Sequence, residues 1–336
     1  MSSADRRIPP QDRLSRLGQY PGTASTASAL IEELTEPATP THFAAATQWM
    51  MRGSTLEEDL VACEQAGLHG IGLNSLKVDE AGRSKAVELL AASPLEVTSF
   101  DWIANFTGYN QYSRDETCHE AMRMIRLADR MGARSVTVLT GPRHNHGQRH
   151  CESLVVDSLR WLADVAVDVG VDLALLPMND DCTDEWTFLN SIPYTLELIE
   201  RIECPRVGML LHTFHMAKQP GLPTLLADPA VTDAIKLVRL SDWDRGCSHE
   251  NDQRFPGKGQ LPLPALLGSL QRAGYRGYYE VDVWSARTWD RQTPDMLGDV
   301  VQFARSHVPA PNFSAATSAS VRSEAESTFE AVLRPV

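Results

Sequence analysis

Between residue 41 and about residue 307, short apolar runs rich in β-branched residues alternate with longer stretches in which apolar residues recur every three or four positions. The short runs read as strands: THFAAAT, GIGLNS, EVTSFD, SVTVLTG, DLALLPM, VGMLLHTF, IKLVRLSD and GYYEVDVW. Each is followed by a helical stretch, among them SKAVELLAAS, ETCHEAMRMIRLADRMG, SLVVDSLRWLADVAVDVG and PYTLELIERIE. Ser54-Thr55-Leu56-Glu57 reads as a capping box opening the first helix, and Gly67 as its stop. Strand-then-helix repetition calls for parallel pairing through crossover helices, and eight such units predict an α/β fold of the closed (β/α)8 TIM-barrel type. The rival, an open doubly wound sheet, normally carries a Gly-rich turn after its first strand, and THFAAATQWM has no such turn.

The two ends break this pattern. Residues 1–40 combine Pro, Ser and Thr around one short amphipathic piece, ASALIEEL, and residues 310–336 are largely small and polar. They are expected to be an N-terminal arm, partly disordered, and a C-terminal tail on a barrel domain spanning residues 41–309. Both extensions are candidates for contacts in a homo-oligomer.

A formal charge of −13 argues against nucleic acid, whose binding rests on Lys and Arg neutralising phosphates. A small-molecule substrate is the expected partner. The six cysteines are scattered without a Cys-x-x-Cys pair, which suits free thiols in a reducing cytoplasm. Neither a signal peptide nor a membrane-spanning run is apparent, so a cytoplasmic protein with no membrane partner is expected.

In a parallel barrel, chemistry sits at the C-terminal strand ends. Strand six closes on His212, in phase with Leu210 and Gly208, and His215 follows three residues later. The same reading puts Leu176 after strand five, Arg239 at the end of strand seven, and Glu280 and Asp282 on one face of strand eight. Trp102, Trp243 and Trp284 fall just beyond strand ends, where indoles stack on ligands or simply pack. Asn179 and Asp242 could bond hydroxyls or cap their loops. The loop GPRHNHGQRH adds His144, His146 and His150 as a polar lid or as metal ligands, and Asp101 is a weaker acid/base candidate. The lysine of PGKGQLP lacks the Ser/Thr and helix context of a phosphate loop.

Several stretches in order, EEDLVACEQAGLHGIGL, RLADRMGARSVTVLTG, LADVAVDVGVDLALLPMND, VGMLLHTFH, VRLSDWDRG, FPGKGQLPLPALLGSLQRAGYRGYYEVDVWS and TPDMLGDVV, give a chain that resembles the sugar phosphate isomerase/epimerase family. These are the xylose isomerase-like barrels, with inosose dehydratases and ketose epimerases among them. The resemblance implies a divalent metal held by four strand-end groups, at positions that here read Leu176, His212, Arg239 and Asp282. It also implies that His215 contacts substrate. Leu176 has no lone pair to offer and Arg239 carries a permanent positive charge, so a metal is disfavoured and no cofactor is expected.

Three readings follow. In the first, the barrel is a metal-independent isomerase, epimerase or dehydratase (a lyase) acting by proton transfer next to a carbonyl on a sugar-like or polyol-like molecule. His212 and Asp282 would serve as acid/base groups, and Arg239, helped by an imidazolium, would steady the enolate oxygen. His215, His144, His146, Trp102, Asn179, Asp242, Glu280 and Trp284 would contact substrate. The second is a metal enzyme with a rearranged His/Asp site. The third is a non-catalytic barrel, distinguishable by whether Arg239, His212 and Asp282 face an open pocket or close on one another.

Overall fold

A computed structural model describes residues 43–308 except 109–111 and 248, so both predicted extensions lie outside the described residues. Eight parallel strands follow in order around a closed barrel, β1 pairing with both β2 and β8. They are β1 (Ala44–Thr47), β2 (Gly70–Leu73), β3 (Glu96–Ala104), β4 (Ser135–Leu139), β5 (Asp172–Leu175), β6 (Val207–His212), β7 (Ile235–Leu240) and β8 (Tyr279–Val281). The helices are α1 (Leu56–Ala66), α2 (Ser75–Ala81), α3 (Arg83–Ala92), α4 (Arg114–Arg130), α5 (Gln148–Val169), α6 (Ile192–Ile202), α7 (Leu222–Leu225), α8 (Pro229–Asp233), α9 (Leu263–Ala273), α10 (Ala286–Trp289) and α11 (Thr293–His307). The (β/α)8 barrel expected from the pattern is what the chain forms.

Strand alternation sorts the apolar residues into two cores. Met209, Leu211 and Val238 face outward into a large cluster with Leu159, Leu198 and Leu266 of the surrounding helices. Leu210, Leu237 and Ala174 face inward with Leu139 and Leu176. The opposite, N-terminal end of the barrel is closed by Phe43, His69 and Tyr278, with the Tyr278 hydroxyl 3.0 Å from His69 Nδ1. His69 is thus a packing residue.

Three local expectations are corrected. The capping box of α1 sits one residue later, on Thr55 and Glu58, because the Ser54 hydroxyl is taken by buried Asp59 at 2.5 Å. Asp59 also receives Gln48 Nε2 at 2.7 Å and Lys77 Nζ at 2.5 Å, which fastens the β1 exit to α1 and α2. Helix α2 was not foreseen; its start is set by the Asn74 side chain accepting from the Leu76 amide. Helix α5 begins at Gln148, earlier than its apolar periodicity suggests, and so takes His150 into its first turn.

Candidate active site

Strands six to eight bring the central groups into one layer. His212 pairs in register with Arg239, and Arg239 with Glu280, so inward-facing positions on three neighbouring strands sit side by side. Arg239 is buried and its Nε donates to Glu280 Oε2 at 2.8 Å, while Nη2 reaches the hydroxyls of Ser99 and Thr137 at 3.3 Å each. Glu280 is fully buried and its other oxygen accepts from Thr98 at 2.5 Å and Ser99 at 2.6 Å. This clamp fixes the guanidinium plane and leaves Nη1 directed toward Asp282, 3.6 Å from Oδ2.

Gly72 makes room for the clamp: a Cβ there would meet Glu280 Oε1 at 2.8 Å and Ser99 Oγ at 2.9 Å. Gly72→Ala is therefore expected to destabilise the fold by about 1–3 kcal/mol, the range for overpacking a filled interior. Urea unfolding checks this, and an unchanged midpoint would show that the clamp yields.

Asp282 receives the Thr47 hydroxyl at 2.8 Å. Burial raises its carboxyl above the usual range, against the pull of Arg239 and Thr47. Burial also opposes the charge on Arg239, yet Glu280 and Asp282 outweigh it and hold the guanidinium firmly protonated. The rings of His212 and His215 meet edge-on at 4.7 Å. Burial pushes both imidazoles down, with Arg239 adding to it: His212 falls well below its ordinary value and His215 to about 3. Both are neutral at pH 7, so the imidazolium helper expected for Arg239 is not available. His212 Nε2 stands 3.9 Å from Asp282 Oδ2, beyond hydrogen-bond reach, and the Nδ1 atoms of both histidines have no partner among the described residues.

These groups open onto a small cavity of about 50 Å³. Its wall includes Leu176, His212, His215, Arg239 and Asp282, together with Trp102 and Trp284. Further residues that sequence reading passed over complete it: Trp49, Thr137, Trp186, Glu250 and Gln253. Four of the chain's seven tryptophans thus meet at one mouth. Trp49 stacks on Trp102 at 4.9 Å, with Trp284 5.2 Å from Trp49 and Trp186 edge-on to Trp102 at 5.8 Å. Trp49 lies two residues past β1, much as Trp284 lies three past β8, and that place could have marked it; Trp102 stands within β3 rather than beyond its end. Glu250 and Gln253 come from an irregular loop that leaves no periodic signal. Buried Asp101 holds the Trp49 indole N–H at 2.9 Å and the Ser75 amide at 2.6 Å, and burial raises its carboxyl to about 6.

Other candidates sit outside this wall. Asp242 accepts four backbone N–H groups, from Trp243, Gly257, Gly259 and Leu261, at 2.8 to 3.0 Å, so its carboxylate organises the loop after β7 and has no room for a ligand hydroxyl. The same fold of chain draws Gly259 in so closely that a Cβ would lie 2.5 Å from Asp242 Oδ1, which accounts for the Gly turn in PGKGQLP. Trp243 donates to Cys247 O within that loop. Asn179 leads into a short turn at Asp180–Cys182, and His144 and His146 are exposed on the approach to α5. Glu280 supports Arg239 from beneath the cavity.

Residues 60–307 match the family model of the xylose isomerase-like TIM barrel, and the chain belongs to this family. Among curated relatives, the 3-dehydroshikimate dehydratase of Pseudomonas putida is 23% identical over 69% of this chain, which spans 36% of that longer enzyme. The inosose isomerase of Bacillus velezensis is 20% identical over 70% of the chain and 85% of its own length. A crystal structure of a Sinorhizobium meliloti protein superposes with a TM-score of 0.74 at 20% identity, covering 80% of this chain and 98% of that one. The relatives are enzymes of dehydratase and isomerase type. The described residues include no helix long and apolar enough to cross a membrane.

The family's metal positions, as the resemblance assigns them, do share one cavity here, but their chemistry does not fit a divalent ion. Leu176 brings a hydrocarbon and Arg239 a buried guanidinium, which has no lone pair to give and carries a permanent positive charge. Among the described residues no three His, Cys, Asp or Glu side chains are arranged to hold a metal.

Proposed function

We propose that this barrel mouth catalyses metal-independent proton transfer beside a carbonyl of a sugar-like or polyol-like molecule, in an isomerisation, epimerisation or dehydration. The observation that carries the reading is the clamped Arg239, held by Glu280, Ser99 and Thr137 so that one edge of a buried cation meets Asp282 at the cavity. A fixed cation among tryptophans suits an oxygen on which negative charge develops, because fixed charges act strongly where water is excluded. Asp282, its carboxyl raised by burial, is a better base than an exposed aspartate and takes the proton from the carbon next to the carbonyl. The C–H electron pair becomes the new C=C bond of an enolate whose oxygen faces Arg239. Returning the proton to the former carbonyl carbon, while the hydroxyl proton of the neighbouring carbon passes to the enolate oxygen, isomerises; returning it to the same carbon from the other face epimerises; handing it to a β-hydroxyl, which leaves as water, dehydrates. Neutral His212 and His215, with unpartnered Nδ1 atoms, orient substrate hydroxyls.

One arrangement favours a second reading: the Arg239–Glu280 clamp is closed and the cavity small, as a non-catalytic barrel would also permit. Incubation with 3-dehydroshikimate, an inosose and a free ketose in D2O separates the two. Deuterium uptake at the carbon next to the carbonyl is expected with at least one of them, in protein stripped by chelator as fast as in untreated protein. Uptake only after adding zinc or manganese would replace this reading with a metal-dependent one. Absence of both uptake and loss of water with all three, against a working reference enzyme, would favour the non-catalytic barrel.

A further inference from the structure

Beside the mouth lies a second, larger hollow of about 490 Å³, between the end of β3, α4 and the segment carrying Trp186. The two spaces share Trp102, Leu139 and Trp186 as a common wall. Their sizes differ in kind. The mouth cavity holds a few water molecules' worth of space, whereas ligand sites usually offer roughly 300–1,000 Å³. A ligand whose reacting head reaches Arg239 and Asp282 has most of its room for anything further in the side hollow.

The lining of the hollow says what that remainder is. Trp102, Trp186 and Tyr112 supply aromatic faces, and Ala121 and Met124 of α4 supply apolar wall. Its edge is acidic: Glu116 accepts from Ser113 in the cap of α4, Glu120 pairs with Arg123, and Glu185 adds a third carboxylate. The indole N–H of Trp186 is buried and has no hydrogen-bond partner among the described residues, although the side chain is only 8% exposed. Thr117, whose hydroxyl likewise lacks a partner, stands in the same wall.

We infer that the substrate is bipartite: a small α-hydroxy-ketone head at Arg239, joined to an aromatic substituent without negative charge in the side hollow. The inference rests on the proposed function for the chemistry of the head, and on the hollow alone for the substituent.

Dihydroxyacetone and its monophenyl ether, 1-hydroxy-3-phenoxypropan-2-one, present the same head with and without such a substituent. In titration calorimetry the phenyl ether is expected to bind at least about tenfold more tightly, the gain for burying a ring against apolar walls. Thr117→Phe, which fills the hollow from α4, should abolish that preference and leave dihydroxyacetone binding unchanged. Ala121→Leu is a milder filling in case the larger side chain impairs folding, and melting temperatures confirm that each variant is intact. Equal affinities in the wild-type protein, no measurable binding of either compound, or a preference that survives both fillings would overturn the inference. Deuterium uptake by the same compounds is scored separately: a phenyl preference without uptake would sink the proton-transfer reading and leave the substituent site standing.

Discussion

Replacing Arg239 by alanine is expected to lower turnover about 10²- to 10³-fold per folded molecule, the usual loss on removing a preorganised donor aimed at developing charge. The same change strands Glu280, fully buried, without its cation. Breaking one side of a buried pair costs about 3–5 kcal/mol, so stability falls together with activity. The two effects come apart in the double replacement Arg239→Met, Glu280→Gln. A neutral pair of similar volume removes the stranded charge and should recover most of the stability, while turnover stays low. Arg239→Lys keeps the charge but loses the planar fork that spans Glu280, Ser99 and Thr137, and should recover only part of the rate. Deuterium uptake per folded molecule, with urea unfolding alongside, reads both quantities. A double variant that turns over at the wild-type rate would show that the cation is structural only.

The second large effect is on acid stability. His215 stays neutral in the fold until about pH 3, whereas the unfolded residue takes a proton near 6.5. Between those values the unfolded chain binds more protons, so the His215 contribution is present above pH 6.5 and is lost as pH falls toward 3. At about 1.4 kcal/mol per pKa unit the loss is on the order of 5 kcal/mol, and His212 acts in the same direction. Asp101 works the other way. Its folded carboxyl binds a proton near pH 6, against 3.8 when unfolded, so its contribution is present below pH 3.8 and is lost as pH rises to 6. Part of the histidine effect is therefore masked in the wild-type protein. Urea unfolding at neutral and acidic pH should show a shallower acid loss in His215→Asn and a steeper one in Asp101→Asn. Parallel pH curves for all three proteins would mean that neither group is desolvated as the fold implies.

The barrel was legible in the chain because its two signals are local and repeated. Apolar runs such as IKLVRL and periodic helices such as that ending at Gly274 each announce themselves without reference to their neighbours. The phase of side chains along a strand was equally readable, and it put His212, Arg239, Glu280 and Asp282 on inward faces, where the structure has them. What could not be read is which of two nearby inward groups reaches Arg239 more closely. Glu280 does, through Nε, because Gly72 leaves space across the barrel on β2. The neutral state of the histidine pair was also hidden, since burial at 2% and 4% exposure is a property of the assembled mouth. Trp186, Glu250 and Gln253 arrive from segments with no period, and only closure of the chain puts them beside the others.

The four amides gathered on Asp242 have a consequence for how this barrel can diversify. One carboxylate buckles down both ends of the loop from Trp243 to Leu261, and Glu250 and Gln253 ride in the middle of it. A bridge from Asp242 to Arg254 folds it back on its own start, and another from Asp252 to Ser285 ties it to the segment after β8. The loop therefore behaves as a replaceable cassette: an exchange at Glu250 can re-shape the rim facing a ligand while the buckle stays shut, whereas one at Gln253 also removes the bond that its side chain accepts from the Trp284 amide. A change at Asp242 itself would release the four amides that hold both ends, leaving the Asp252–Ser285 bridge as a remaining tie.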